Sequence, residues 1–109
     1  MAGFVKGDIV VIPFPFSDLS GSKKRPALVL ANLQGDDIIL CQITSQQSKD
    51  IYAIAIDQTD FANGSLPVAS NIRPSRIFTA DKKMIIRTAG TLKRTSFAKV
   101  SSAIIKLLT

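Results

Sequence analysis

The stretch KKRPALVLANLQGDDIILCQITS, residues 23–45, decides how the chain is read. Ala27-Leu28-Val29-Leu30-Ala31 and Ile38 through Ile43 are apolar runs of strand length, separated by the tight-turn sequence Gln34-Gly35-Asp36-Asp37. Together they predict a β-hairpin. Pro26 marks where the first strand leaves a polar segment, and Thr44-Ser45-Gln46-Gln47-Ser48 marks where the second ends. Antiparallel register sets the start of one strand beside the end of the other, so Arg25 and Thr44 are expected as neighbours.

Outward from this hairpin the pattern stays short-stranded. Ile9-Val10-Val11-Ile12 reads as a strand that Pro13-Phe14-Pro15-Phe16 terminates, and residues 17–24, SDLSGSKK, read as a polar surface loop. On the other side, Tyr52 through Ile56 alternates large and small residues as a half-packed strand does, and Asp60 through Gly64 reads as a turn. Pro74 keeps part of Asn71–Thr79 off an interior strand position, with Ile77 and Phe78 rejoining the sheet. Asp81-Lys82-Lys83 is a turn, Met84-Ile85-Ile86 a short apolar element and Thr88–Leu92 a further extended piece. From about residue 94 the period lengthens: Phe97, Val100, Ile104 and Leu107 or Leu108 mark an amphipathic helix that Thr95 or Ser96 would cap. The expected architecture is mainly β (α+β): one domain, 1–109, with five or more short strands in a small barrel or strongly bent sheet covered by a C-terminal α-helix.

The 109 residues include 14 Lys plus Arg, eight acidic residues that are all Asp, and no histidine. Imidazole-based nucleophile systems, paired-histidine ribonuclease chemistry, histidine-bound zinc or haem and glutamate general acid–base chemistry are thereby excluded. No metal or other cofactor is expected. Cys41 lies within an apolar run and reads as a small buried hydrophobe. Neither a secretory h-region nor an apolar run long enough to cross a bilayer is present, so the expected location is cytoplasmic, with no membrane partner. Residues 1–50 hold five basic and five acidic groups. Residues 51–109 hold nine basic groups against Asp57, Asp60 and Asp81, and so carry the whole excess of +6. Such an excess suits nucleic acid or an acidic protein as partner.

Cleavage of an RNA phosphodiester fits the residue types that remain, because the 2′-hydroxyl is a built-in nucleophile. The protein has to orient it, move a proton and stabilise charge on the phosphorus. Arg25 has five donors suited to phosphate oxygens, and Thr44 and Ser45 stand across the hairpin from it. Lys23, Lys24, Arg73 and Arg76 are candidates for further phosphates. The competing readings are an Arg25 salt bridge to Asp8 or Asp18, and hydroxyls of Thr44 and Ser45 that serve only local amides. One Tyr and six Phe argue against a long base-stacking platform.

At Gly7-Asp8-Ile9-Val10, Lys24-Arg25-Pro26-Ala27-Leu28-Val29-Leu30, Gln42-Ile43-Thr44-Ser45, Ile77-Phe78-Thr79-Ala80-Asp81-Lys82 and Gly90-Thr91-Leu92 the sequence resembles the MazF/PemK family of toxin endoribonucleases. The resemblance implies an SH3-like barrel and a homodimer. It also implies metal-independent cleavage of single-stranded RNA or mRNA at short sequences, giving 2′,3′-cyclic phosphate and 5′-hydroxyl ends. Inhibition by a cognate antitoxin with an acidic, partly disordered C-terminal segment is implied as well. It carries the catalytic arginine to Arg25 and the catalytic hydroxyl to Thr44. Ser22, Lys23, Lys24, Ser45, Gln46, Arg73, Ser75 and Arg76 are then substrate-binding candidates. Some family members have an acidic residue where this chain has Ser75. The alternative is a nucleic-acid-binding module of the same fold that cuts nothing.

Overall fold

The β-branched run at 9–12 forms the expected strand, and in the computed structural model, which describes residues 3–14, 23–45 and 50–109, all four of its residues are buried. Strand β1 (Asp8–Phe14) lies between β2 (Lys23–Asn32) and β7 (Arg87–Leu92). Strand β3 (Asp37–Thr44) completes the expected hairpin with β2, and β6 (Ser70–Asp81) flanks β3. The short strands β4 (Ile54–Ile56) and β5 (Phe61–Gly64) lie at the two edges. Among the described residues the sheet order is β4-β6-β3-β2-β1-β7-β5, every neighbouring pair antiparallel.

The two edge strands are consecutive in sequence. In a flat sheet, six spacings of about 4.8 Å would hold them roughly 29 Å apart. The chain from Ile56 to Phe61 spans at most about 18 Å. The sheet therefore curls into a half-barrel, and Ile56 of β4 and Phe61 of β5 enter the same core cluster as Ile9, Leu28, Cys41, Ile43, Ile72 and Leu92. Helix α1 (Arg94–Leu108) inserts Val100 into this cluster, with Phe97 and Ile104 beside it. A second cluster, Val10, Ile12, Ala27, Val29, Ile38 and Leu40, fills the opposite face. Alternate residues of β1, β2 and β3 thus enter two different cores, which explains their nearly uninterrupted apolar sequences.

Asp60 ties the corner between the edge strands. Asp57 and Asp60 form a reciprocal capping box around the 3-10 turn Gln58–Asp60, and the Thr59 hydroxyl and amide hold the Asp57 carboxyl below the usual carboxylate range. Asp60 Oδ2 accepts from the Asp57 amide at 2.9 Å, Asp60 Oδ1 accepts from Ser96 Oγ at 2.8 Å, and the Asp60 carbonyl accepts from the Lys93 amide at 2.8 Å. One residue therefore fastens the corner to the start of α1.

Several boundaries differ from expectation. The N-cap of α1 is Lys93, without a side-chain cap bond; Thr95 lies within the helix and Ser96 is turned to Asp60 instead. Leu107 and Leu108 are exposed, and Ile104 is the last residue of α1 that packs against the core cluster. Residues 60–64, expected as a turn, contain β5, and Tyr52 and Ala53 precede β4, whereas the turn expected at Asp81-Lys82-Lys83 is present as the 3-10 turn Lys82–Met84, which takes in the first residue of the expected apolar element. Pro13 does not end β1, since it still pairs with Lys24, and Lys23 and Lys24 belong to β2 rather than to a loop.

The largest irregularity lies where Pro74 was expected to disturb the sheet. Cys41 pairs with Ile77 while Ile43 pairs with Ile72, so Gln42 alone faces residues 73–76. The bulge accommodates the missing proline N–H. It also frees the Arg73 carbonyl, which accepts from Cys41 Sγ at 3.0 Å. Burial pushes the Cys41 thiol up to about 12, with a backbone hydrogen bond to Arg73 offsetting part of the shift.

Two outcomes follow. Asp60→Ala removes both carboxylate bonds at the corner and lowers stability by about 1.5–3 kcal/mol in urea unfolding. Cys41, protonated and enclosed, reacts with a disulfide reagent at pH 8 at least roughly a hundredfold more slowly in the folded protein than in urea; equal rates would contradict its burial.

Candidate nucleic-acid interface

Strand register builds the site. Ala27 faces Gln42, and two further residues along the same register bring Arg25 level with Thr44, as expected from the hairpin. On its other side Arg25 pairs with Ile12, while Thr44 pairs with Asn71 and Asn71 with Ala55. Ile12, Arg25, Thr44, Asn71 and Ala55 therefore form one transverse row over five strands. Ile12 is buried at the edge of the second core, Thr44 is 8% exposed, and Arg25 is half-buried. The row carries the chain from apolar core to polar surface within one residue position.

Among the described residues no carboxylate lies within ion-pair distance of Arg25. Asp8, one of its expected partners, is buried and already engaged: Oδ1 accepts from Thr91 Oγ1 at 2.8 Å and Oδ2 from the Val5 amide at 3.0 Å. Asp18, the other, lies outside the described residues, as do Ser22, Gln46 and residues 17–22 of the expected loop. Among the described residues the positive charge of Arg25 thus has no carboxylate counterpart, and it stands near the start of β2, half-buried beside an open cavity.

Beside this row is an open cavity of about 380 Å³. Lys24, Arg25, Ser45 and Arg87 provide its polar wall, and Ile43, Leu66, Pro67 and Val68 are among its apolar lining residues. Lys24 and Ser45 are exposed on the row after Arg25 and Thr44. Thr44 does not line this cavity. Arg87 does, brought there by its pairing with Val11, a placement that the sequence, where it is one charge of the basic half, does not reveal.

The β6 arginines stand elsewhere. Residues 73–76 are the bulge, where Ser75 and Arg76 are exposed and Arg73 is partly buried. Arg73 Nε donates to Asp50 Oδ2 at 3.1 Å. The Asp50 carboxyl is held below the usual carboxylate range, first by the backbone amide of Tyr52 and then by the Arg73 hydrogen bond. Nothing in the linear sequence connects Asp50 to Arg73; its position just before the Asx turn at Tyr52 is the one available signal. Lys82, counted in the basic excess, is used structurally: its ammonium donates to the carbonyls of Leu33 and Gly35 at 2.7 and 2.8 Å, closing the hairpin turn. The basic groups are therefore dispersed, and the cavity, the Arg25–Thr44 row and the bulge are three distinct polar features around the ends of β2, β3 and β6.

No three His, Cys or Asp side chains among the described residues gather as metal ligands, and no described helix is long and apolar enough to cross a membrane.

The fold recurs in solved structures. An endoribonuclease in complex with its cognate antitoxin from a Mycobacterial species superposes with a TM-score of 0.76 at 14% identity, over 97% of this chain and 95% of that one. A MazE–MazF structure from Deinococcus radiodurans gives 0.77 at 18% identity, over 98% and 97%. The Mycobacterium tuberculosis toxin MazF-mt6 gives 0.71 at 16%, over 93% and 95%. These likenesses establish the curled sheet and terminal helix as the SH3-like barrel expected from the sequence. No curated protein sequence matches. A family model described as PemK-like, MazF-like toxin of type II toxin-antitoxin system matches residues 5–108. With all but the ends of the sequence matched, the chain belongs to the PemK-like, MazF-like toxins of type II toxin–antitoxin systems.

Proposed function

We propose that the protein is a toxin endoribonuclease that cuts single-stranded RNA, mRNA included, at short sequences without a metal ion. The observation that carries this reading is the Arg25–Thr44 row: an arginine with no carboxylate partner among the described residues, level with the nearly buried Thr44, at the margin of an open groove. The solved relatives named as endoribonucleases support it.

The chemistry follows from the residue types. The substrate's 2′-hydroxyl attacks the adjacent phosphorus, the P–O5′ bond breaks, and a 2′,3′-cyclic phosphate and a 5′-hydroxyl result. Charge on the non-bridging oxygens peaks between these events. A guanidinium at low local dielectric stabilises that charge more in the transition state than in the ground state. Arg25 takes this role. A guanidinium keeps its proton in a protein and so is not the base that removes the 2′-hydroxyl proton. Thr44, held by the sheet, orients the reacting phosphate. Lys23, Lys24, Ser45 and Arg87 hold neighbouring phosphates or sugars along the groove, and Arg73, Ser75 and Arg76 extend the contact from the bulge.

The whole chain acts as one domain, as a homodimer in the cytoplasm. A cognate antitoxin silences it by laying an acidic, partly disordered C-terminal segment over the same cationic groups. The solved complex of an endoribonuclease with its antitoxin supports such a partner.

Incubation of the purified protein with mixed RNA in EDTA should give undiminished cleavage and cyclic-phosphate ends; strict dependence on magnesium would sink the proposal. Arg25→Ala should lower the cleavage rate by about 10²–10³-fold while leaving thermal unfolding unchanged. Thr44→Ala should also slow cleavage. A folded protein that binds RNA and yields no product would establish the non-catalytic binding module instead.

A further inference from the structure

We propose that Asp50 is a positioning residue for substrate, holding the Arg73 guanidinium toward the Arg25–Thr44 face so that its remaining donors meet a second phosphate of the RNA. The inference rests on the proposed RNA reading and extends it to a residue outside both the hairpin and the bulge.

Three observations lead to it. The first is placement. Thr44 pairs with Asn71, and Arg73 follows Asn71 by two residues on β6, the spacing that keeps side chains on one face until the bulge begins. Arg25 and this part of β6 lie two strand spacings apart, about 10 Å, so a long side chain from each can address separate groups of one bound strand. The second is fixation. Asp50 Oδ1 accepts from the Tyr52 amide at 2.9 Å and its carbonyl from the Ala53 amide at 3.1 Å, after which β4 docks on β6 through Ile54 and Ile72. The carboxylate is thus placed by its own turn and strand before it meets the arginine.

The third is the form of the contact. Asp50 uses Nε of Arg73 at 3.1 Å, and a guanidinium has four further N–H donors on its two terminal nitrogens. The side chains are only 9% and 23% exposed for Asp50 and Arg73. The pair is therefore shielded, unlike solvent-separated surface pairs whose geometry is loose. A flexible arginine anchored at Nε loses rotamers in the free protein and has fewer to lose on binding phosphate.

The test is a double-mutant cycle on Asp50 and Arg73, read as KM and kcat for cleavage of mixed RNA and as Kd for a fluorescent single-stranded RNA oligonucleotide. Asp50→Ala and Arg73→Ala should each raise KM and Kd by roughly tenfold with kcat unchanged. Asp50→Ala made in the Arg73→Ala background should add nothing, whereas a merely structural role, through the Tyr52 turn, would persist there. Asp50→Asn keeps an acceptor for the Tyr52 amide and secures a folded variant; it should show a smaller increase in the same direction. Additive effects, a fall in kcat with KM unchanged, or tighter RNA binding on loss of Asp50 would overturn the assignment. If the unaltered protein binds RNA without cutting it, the nuclease reading fails while the Kd cycle still decides the role of Asp50.

Discussion

The connection from Ile56 to Phe61 imposes the constraint on which the rest of the structure depends. It joins the two strands that a seven-stranded order places farthest apart, and it is too short to cross a flat sheet. Curling is the only solution that keeps every strand paired. Once curled, the sheet has an inner face enclosed enough for Ile9, Leu28, Cys41, Ile43 and Ile72 to leave water completely, and Val100 needs only one helix to close it. The carboxylates of Asp57 and Asp60 hold the corner, and through Ser96 the same corner sets where the helix begins.

The polar features follow from how the strands end. Because β2 and β3 leave the core at the same level, an arginine and a hydroxyl meet at the boundary without a dedicated loop to position them. The bulge in β6 works in the opposite way. Pro74 is buried yet cannot donate to the ladder, so four residues are excluded from pairing opposite Gln42, and the freed Arg73 carbonyl takes the Cys41 thiol as its donor. A residue that looks like simple core filler thereby satisfies a main-chain group that the bulge would otherwise strand in the interior.

Hairpin, register and helix were legible because each rests on a local pattern: alternation or continuity of apolar residues, a Gly-Asp turn, and a change of period after residue 94. The neighbourhood of Arg25 and Thr44 followed from register alone. What stayed hidden depends on contacts between distant segments. Asp50 and Arg73 meet because β4 docks on β6, Arg87 reaches the cavity because β7 docks on β1, and Ser96 faces Asp60 because the corner comes back to the helix. The apolar leucines at the end of α1 misled for a related reason: periodicity reports which face of a helix is apolar, but not how far the sheet beneath it extends.

The short corner also has a consequence for how such a protein can vary. Length changes in most surface connections leave a sheet's curvature alone, but here the span between β4 and β5 works as a drawstring. Lengthening it would relax the curl and let β5 drift outward, carrying with it Leu66, Pro67 and Val68, which follow β5 and line the same groove as Lys24 and Arg87. The width of the groove is thereby geared to a backbone length several residues away from it, so that the shape of the groove and the closure of the barrel depend on the same few positions.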